Sequence, residues 1–434
     1  MDATMLSLVG CIIAFVLLMI LIMKNFHILI VALVCVTVVS LFSGMNIYTS
    51  IMEPYMTGFV DYFKSYFMLF LVGALFGQVM ERSGAAHAIA KLFVARLGAR
   101  FALLAIVLAC AALVYGGISC FVVGFAVIPF AVTLFEEADI PRRFLAGALT
   151  FGTVTFAMTG PGTPQVQNII PTTTLGTKAS AGWGVGVIVM VFMFIVGMLW
   201  LQWAVDKAKA NGEHFQHREG ETKADPNRPT PNGLLALVPL IVSVLALNVL
   251  GLAVELSVLT GVVLAYIMFF KYLPFQKLPD VFGAGFTSAL SAIANTCIVV
   301  GFGSVVKVAP AFTWLTENID KIPGPALVGV ALSVTLICGI TGSASGGIGM
   351  AIPAIAPIYV AKGVLPEAIH RVASIASGAL DSLPHNGYVV TTLNICGLSH
   401  KEGYFPVFML TVALPCLGTA LAILLFTICP WLPV

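Results

Sequence analysis

The side chains best suited to chemistry in this sequence are Asp381 and His385, in the short polar stretch SGALDSLPHNG at 377–387. Apolar sequence flanks this stretch on both sides. Ionisable residues in a hydrophobic setting are costly and usually functional. Histidine titrates near neutral pH, and burial makes an aspartate easier to protonate, so the pair predicts proton transfer in an apolar environment.

The spacing of the two residues leaves their roles partly open. Asp381 and His385 are four positions apart, which would place them on one face of a helix unless Pro384 ends that helix first. We predict proton coupling for Asp381, because a carboxylate in lipid has few other functions. For His385, proton transfer and a neutral, structural hydrogen-bonding role are equally compatible with the sequence.

The composition predicts that these residues belong to a membrane protein. The 434 residues are 59% hydrophobic and 9% charged, whereas a soluble domain carries about 25% charged residues. Apolar runs of about twenty residues, the length that crosses a bilayer, recur along the chain. The first run, at 4–23, follows no basic segment, so we expect a membrane helix there and not a signal peptide.

Composition also limits which classes of partner and cofactor are expected. The net charge is +2 and basic residues are sparse, which argues against a nucleic-acid partner. The nine cysteines have neither metal-ligand nor redox spacing. We therefore expect no metal and no cofactor, and the expected partners are membrane lipid and a small anionic substrate.

Apolar runs occur in the same order in both halves of the chain. Spanning helices are predicted near residues 4–23, 28–44, 62–81, 182–205, 233–252, 256–272, 284–306 and 404–428. Two longer runs, 101–138 and 325–361, are interrupted by YGGISC and TGSASGGIG. Each is followed by a polar link and then by a helix broken in its middle, by TGPGTPQ at 159–165 or DSLPHNG at 381–387.

This matched order predicts an internal repeat. We expect an all-α polytopic membrane protein with two inverted repeats, 1–205 and 233–434. Each repeat would contain a re-entrant hairpin and a helix that is discontinuous at the midplane, and the whole chain would have about ten spanning helices. Residues 206–232 form the predicted cytoplasmic linker, in which His214 and His217 are interpreted as solvated.

The distribution of basic residues predicts the orientation. With the first hairpin on the cytoplasmic side, fifteen of the 21 Lys and Arg fall in cytoplasmic segments. They are Lys24, Arg82, Lys91, Arg96, Arg100, Arg142, Arg143, Lys207, Lys209, Arg218, Lys223, Arg228, Lys271, Lys277 and Lys401. The other side keeps six, including Lys321 and Arg371. This asymmetry predicts that both termini lie outside. The expected location is the bacterial inner (plasma) membrane, with multiple spans.

The breaks in the helices predict a binding site. Irregular backbone survives at membrane depth only where protein or a watery cavity satisfies it, and discontinuous helices in inverted repeats surround the substrate of secondary transporters. Half-helix N-termini favour anions. The predicted substrate-binding residues are Gly117, Ser119, Thr163, Gln165, Asn168, Ser343, Ser345, Gly346 and Asn386. The alternative is that the small residues serve close helix packing.

The charged residues near the breaks limit the number of negative charges that the substrate can carry. The four motifs contain no Lys or Arg, and Arg143 and Arg371 lie upstream of the broken helices. A substrate with two or three carboxylates would recruit Arg or Lys. Helix dipoles and hydroxyl groups suit one negative charge, so we predict a small hydroxylated monocarboxylate, carried by a symporter and not transformed by an enzyme.

The sequence resembles the gluconate permease (GntP-type) family of the ion transporter superfamily over nearly its whole length. The most specific segments are the YGGIS…IP hairpin, TGPGTPQVQNIIPT at 159–172 and SGALDSLPHNG at 377–387. The DSLPHNG form is similar to the 3-hydroxybutyrate permease branch. The resemblance implies a proton symporter for gluconate or related small hydroxy or amino acids.

The family resemblance also implies a homodimer in which a transport domain moves like an elevator against a scaffold. By that analogy the scaffold is 1–97 with 233–322, and the transport domain is 98–205 with 323–434.

One departure from the superfamily bears on the coupling ion. Sodium-coupled dicarboxylate carriers have Ser-Asn-Thr at both hairpin tips, whereas this chain has Ile118-Ser119-Cys120 and Ser343-Ala344-Ser345. Proton coupling is therefore expected, with sodium-coupled carboxylate symport as the alternative. An intramembrane serine hydrolase, with Ser343 or Ser345 beside His385, and a channel are the candidates from other classes; the doubled architecture favours neither.

Overall fold

The computed structural model describes residues 2–24, 26–218, 229–318 and 324–434. These residues form helices and short connections, with no strand among them. The all-α prediction is confirmed. Lys223, Arg228 and Lys321, which entered the orientation argument, lie outside the described residues.

The first half of the chain contains helices α1 to α11. Their bounds are α1 Ala3–Met23, α2 Ile28–Phe42, α3 Ile47–Ser50, α4 Met56–Arg82, α5 Ala85–Leu97, α6 Ala102–Tyr115, α7 Cys120–Glu137, α8 Leu145–Thr150, α9 Phe156–Thr159, α10 Val166–Leu175 and α11 Trp183–Ala210. Wider π-helical turns join α3 to α4 and α8 to α9, at Ile51–Tyr55 and Phe151–Thr155.

The second half contains helices α12 to α21. Their bounds are α12 Gly233–Asn248, α13 Val254–Phe269, α14 Leu278–Val308, α15 Pro310–Asn318, α16 Ala326–Thr341, α17 Ala344–Ala361, α18 Pro366–Ser377, α19 Gly387–Ile395, α20 His400–Phe408 and α21 Leu414–Ile428. A π-helical turn, Met409–Ala413, makes α20 and α21 one continuous rod.

Five helices of the described chain are long and apolar enough to cross a membrane. They are Ile47–Arg82, Trp183–Ala210, Phe275–Val308, Ala344–Ala361 and His400–Ile428. Shorter apolar stretches of 10–17 residues accompany them, including Ala3–Leu18 within α1 and the helices α2, α6, α12 and α13. Large apolar side chains such as Leu199, Trp203 and Ile267 are exposed on the outside, as expected for a protein whose surroundings are lipid.

The third helix of each half is longer than the sequence predicted. The span expected at 62–81 is part of a 36-residue helix, Ile47–Arg82, and the span expected at 284–306 is part of a 34-residue helix, Phe275–Val308. Proline and polar residues at 53–61 resemble a loop in the sequence. Pro54 is accommodated because it lies in the π-helical turn, where the regular hydrogen-bond ladder is already interrupted. Helix α4 packs along α14.

Both interrupted apolar segments fold back on themselves. Helices α6 and α7 pack against each other, as do α16 and α17, and the turns between them are at 116–119 and 342–343. Gly117 (φ +104°) and Gly342 (φ +58°) make these turns in left-handed conformations, which glycine adopts without steric penalty. Whether the hairpins re-enter the membrane, and whether the halves are inverted repeats, remain predictions.

The broken helices of the two halves pack against each other's hairpins. Helix α10, after the first break, contacts α17 of the second hairpin, and α19, after the second break, contacts α7 of the first. Two buried arginines join the same parts. Arg142 Nε donates to the carbonyl of Cys396 at 2.8 Å, just after α19. Arg371 Nε donates to the carbonyl of Ala181 at 2.9 Å, beyond α10.

The linker begins later than predicted, because α11 extends to Ala210 instead of ending at 205. Residues 211–218 lie against the end of the first hairpin. His214 Nδ1 is 2.7 Å from Asp139 Oδ2, and Phe215 N–H donates to Asp139 Oδ1 at 2.9 Å. The Phe215 hydrogen bond, followed by that of His214, lowers the pKa of Asp139. His217 lies 3.6 Å from Glu136, so both linker histidines contact carboxylates.

Candidate functional site

The breaks and hairpin tips surround a cavity of about 420 Å³. Its lining comes from the two hairpin turns, the two helix breaks and the middle parts of α4 and α14. The volume falls in the usual range for small-molecule sites. The cavity is therefore the place where the predicted site residues can be tested against geometry.

Four helices begin at this cavity. Ser119, Gln165, Ser343 and Asn386 are the residues that precede α7, α10, α17 and α19. Each of them lines the cavity together with the first residue of its helix. The first N–H groups of a helix have no intrahelical partner, and they carry about half a positive charge. The cavity is thus surrounded by four partial positive charges that come from the backbone.

In the second half, side chains cap both helix starts. Ser343 Oγ accepts a hydrogen bond from Gly346 N–H at 3.1 Å and lies 3.4 Å from Ser345 Oγ. Asn386 Oδ1 accepts from Val389 N–H at 2.9 Å, while its Nδ2 donates to the carbonyls of Gly342 at 3.0 Å and Asp381 at 2.9 Å. Asn386 thereby joins the second break to the second hairpin tip.

In the first half, Gln165 makes the equivalent connection. Its Nε2 donates to the carbonyls of Val114 at 2.7 Å and Ile118 at 3.1 Å, both at the first hairpin tip. Neither Ser119 nor Gln165 makes a side-chain cap to its own helix. The starts of α7 and α10 are therefore the less protected pair, with N–H groups that a ligand can bind.

The break around Asp381 is wider than the sequence predicted. Helix α18 ends at Ser377 and α19 begins at Gly387, so Asp381 and His385 lie in irregular backbone and share no helix face. The shared-face interpretation of their spacing is wrong. Small residues and Pro384 follow α18, and Asn386 caps the next helix, so both ends of the break are fixed locally.

Asp381 and His385 nevertheless both line the cavity, and each is only 4% exposed. Ser382 Oγ donates to Asp381 Oδ1 at 3.0 Å. The His385 ring lies against the second hairpin turn, where a Cβ at Gly342 would approach its Cδ2 to 2.5 Å. Among the lining residues that the structure describes there is no Lys or Arg.

Eight of the eleven predicted site residues line this cavity. They are Gly117, Ser119, Gln165, Ser343, Ser345, Asp381, His385 and Asn386. Thr163, Asn168 and Gly346 are buried behind the lining instead. Asn168 Nδ2 donates to the carbonyls of Thr163 and Ala179 at 2.9 and 2.8 Å, and its Oδ1 is 3.1 Å from His370 Nε2. No polar atom of the Asn168 side chain is therefore left for a substrate in this conformation. The binding role of Thr163, Asn168 and Gly346 stays a prediction.

Several lining residues were missed by the sequence interpretation. Asn295, Thr296 and Ser288 come from α14, while Cys120 and Tyr388 follow two of the helix starts. The signal for Asn295 was present, because it is an amide in the middle of a predicted span. Because α14 is unbroken, the pattern of broken helices in the sequence does not point to Asn295.

The described residues contain no group of three or more His, Cys, Asp or Glu side chains placed to hold a metal ion. An apolar all-helical body with broken helices around a cavity is the architecture of a polytopic membrane transporter. Comparison with known proteins specifies the class further. Residues 6–244 match the model of the GntP family permeases, and the chain belongs to this family. Permeases are transporters and not enzymes.

Two relatives support the assignment. The chain is 35% identical to the transporter YxjC of Bacillus subtilis (strain 168), over 90% of this chain and 92% of that protein. It is 24% identical to the high-affinity gluconate transporter of Escherichia coli (strain K12), over 67% of each chain.

Solved structures share the fold at low sequence identity. The YdaH transporter of Alcanivorax borkumensis matches with a TM-score of 0.51 at 17% identity, covering 87% of this chain and 89% of that one. MtrF of Neisseria gonorrhoeae, described as illuminating a class of antimetabolite efflux pumps, matches with a TM-score of 0.53 at 15% identity, covering 86% and 83%. These likenesses concern the fold.

We expect Asn168→Ala to destabilise the protein without changing substrate affinity. The change leaves two buried carbonyls and His370 without their amide partner, which costs about 2–4 kcal/mol. Thermal unfolding of the purified protein measures the loss, and the half-saturation concentration for transport measures affinity. Thr174→Val, an exposed change on the same helix, is the control and should stay within about 0.5 kcal/mol. A weaker affinity at unchanged stability would restore Asn168 to the binding site.

Thiol labelling should identify the cavity lining. In a background with Cys120, Cys416 and Cys429 changed to serine, Ser119→Cys and Ser345→Cys should react with a small charged methanethiosulfonate, because both positions border the cavity.

Ser377→Cys is the control for this labelling, since Ser377 is fully buried. It should remain unmodified on the same timescale. Equal reaction at all three positions, or reaction at Ser377→Cys alone, would contradict the assignment of the cavity.

Proposed function

We propose that this transporter is a proton-coupled symporter of small hydroxylated monocarboxylates such as gluconate or 3-hydroxybutyrate. One observation carries the proposal: four helix starts surround a cavity that contains one carboxylate, Asp381, and no Lys or Arg among its described lining residues. The backbone N–H groups supply positive potential in the cavity. The substrate supplies a negative charge, and a proton neutralises Asp381.

The lining supports a substrate with a single negative charge. Helix N-termini stabilise an anion by about 0.3–1 kcal/mol each when exposed, and by more when partly buried. Multiple carboxylates would need Arg or Lys for bidentate binding. The hydroxyl and amide groups of Ser119, Ser343, Ser345 and Gln165 add hydrogen-bonding partners. This set favours one carboxylate together with hydroxyl groups.

Electrostatics support the coupling to protons. An ionised Asp381, which is only 4% exposed, and a substrate carboxylate in the same cavity repel each other, because the interaction of two charges grows as the dielectric constant falls. No Lys or Arg is among the described lining residues to offset the two negative charges. Protonation of Asp381 removes the repulsion, so anion and proton bind together. His385 passes the proton to Asp381 or holds the break in place.

The transport cycle we propose is of the elevator type, in a homodimer in the bacterial inner membrane with both termini outside. The moving part is 98–205 with 323–434, and the scaffold is 1–97 with 233–322. Hydrogen bonds between described residues cross this boundary. Ser243 Oγ donates to the carbonyl of Gly116 at 2.9 Å, Asn248 Nδ2 donates to that of Gly162 at 2.8 Å, and the hydroxyls of Tyr66 and Thr173 lie 2.8 Å apart. All three contacts would break when the transport domain moves.

Uptake into liposomes tests the substrate and the ion. The purified protein is reconstituted, and labelled gluconate, 3-hydroxybutyrate, lactate and D-serine are offered under separate inward proton and sodium gradients. We expect hydroxy acids to accumulate when the outside is acidic, with no requirement for sodium, since protonation of Asp381 favours binding of the anion. Succinate is the dicarboxylate control. Accumulation driven by sodium alone would establish the sodium symporter instead, and preference for succinate would contradict the monocarboxylate assignment.

Asp381→Asn tests the coupling residue. The amide is permanently neutral, so substrate should bind and exchange between the two sides at any pH, whereas accumulation driven by a proton gradient should be lost. Asp206→Asn, on the exposed end of α11, is the control and should retain acid-driven accumulation. Acid-driven accumulation by Asp381→Asn at the wild-type level would remove Asp381 from the coupling mechanism.

A further inference from the structure

One polar side chain of the cavity has no part in the helix starts or in the proton site. Asn295 lies in the middle of α14, on the wall of the cavity that α4 and α14 form. Residues 288, 292, 295, 296 and 299 of this helix all line the cavity. Their spacing of three or four residues identifies a single helix face. Asn295 is therefore directed at the cavity by the helix itself.

Asn295 and its neighbour Thr296 differ in their hydrogen bonds. Thr296 Oγ1 donates to the carbonyl of Ala292 at 3.1 Å, within its own helix, and the residue is 6% exposed. Asn295 is exposed, and its amide forms no hydrogen bond with any residue that the structure describes. An amide side chain in the middle of a membrane helix is costly unless it has a polar partner. Here the partner is available only from the cavity.

The rest of the wall around Asn295 is apolar or small. Leu69, Phe70, Gly73 and Ala74 of α4, with Ala289 and Val299 of α14, form it. Ser288 is the other side chain on this wall with a hydroxyl available, and it lies seven residues before Asn295, about 10 Å along the helix. A ligand bound in the cavity therefore meets one free amide on this wall, that of Asn295.

We propose that Asn295 is a specificity-determining residue that hydrogen-bonds a hydroxyl group of the substrate while the carboxylate lies at the helix starts. This inference rests on the proposed function. An amide offers an acceptor oxygen and two N–H donors, so it matches a hydroxyl group, which both donates and accepts. A carboxylate without a hydroxyl group leaves this amide unpaired inside the cavity, and such a site discriminates strongly against that ligand.

A matched pair of acids tests this assignment. 3-Hydroxybutyrate and butyrate differ by one hydroxyl group, and each is measured as a competitor of labelled 3-hydroxybutyrate uptake in liposomes. The wild type should prefer 3-hydroxybutyrate. In Asn295→Ala the ratio of the two inhibition constants should fall about tenfold or more, through weaker binding of the hydroxy acid. Asn295→Gln, which keeps an amide on a longer chain, should retain part of the preference.

Two comparisons separate a specific effect from a general one. Ser291→Ala changes a polar, exposed residue one turn earlier that is not part of the lining, and it should keep the wild-type ratio. Butyrate binding by Asn295→Ala reports whether the cavity is intact, since that ligand has no hydroxyl group to lose. A parallel fall in affinity for both acids would assign Asn295 a structural role and overturn the proposal.

The outcome also distinguishes this inference from the function on which it rests. Wild-type protein that transports hydroxy acids, together with an unchanged ratio in Asn295→Ala, would overturn only the role of Asn295. Wild-type protein that takes up neither gluconate nor 3-hydroxybutyrate would overturn the substrate class and this assignment together.

Discussion

Four helices of this protein begin in its interior, and their first backbone N–H groups need hydrogen-bond partners there. In hydrocarbon an unpaired backbone group costs several kcal/mol. The surrounding structure meets this demand by placing all four starts around one cavity and by capping two of them with Ser343 and Asn386. The other two starts, after Ser119 and Gln165, lack a side-chain cap. Their N–H groups make the cavity attractive to an anion.

Long-range polar contacts hold the breaks in place. Gln165 and Asn386 each attach a break to the hairpin tip of the same half. Arg142 and Arg371 each attach the beginning of one broken helix to the chain that follows the broken helix of the other half. Hydrogen bonds from charged donors are stronger than neutral ones. Arg142 binds the carbonyl of Cys396 at the end of α19, and Arg371 binds the carbonyls of Ala179 and Ala181 in the turn between α10 and α11. Broken helices from both halves are thus joined into one unit around the cavity.

The cavity has two chemically different walls. The helix starts and Asp381 form one wall, and the largely apolar lining of α4 and α14, which includes Asn295, forms the other. In the mechanism we propose, charge is recognised on the first wall and hydroxyl groups on the second. In the same proposed mechanism, the carboxylate of Asp381 competes with the substrate for the positive potential of the backbone until a proton neutralises it.

The sequence by itself determined that the protein lies in a membrane, that it is helical and where its helices are broken. Hydrophobic run length and the placement of glycine and proline are local properties of the chain. It also identified Gly117, Ser119, Gln165, Ser343, Ser345, Asp381, His385 and Asn386, since polar residues in apolar segments are visible without a structure. Only the tertiary structure decided which polar residues reach the cavity. Asn168 and Asn295 look equally exceptional in the sequence, yet packing of the two halves buries Asn168 against His370 and Ala179 and leaves Asn295 facing the cavity. The difference depends on contacts between residues far apart in the chain, which local pattern does not contain.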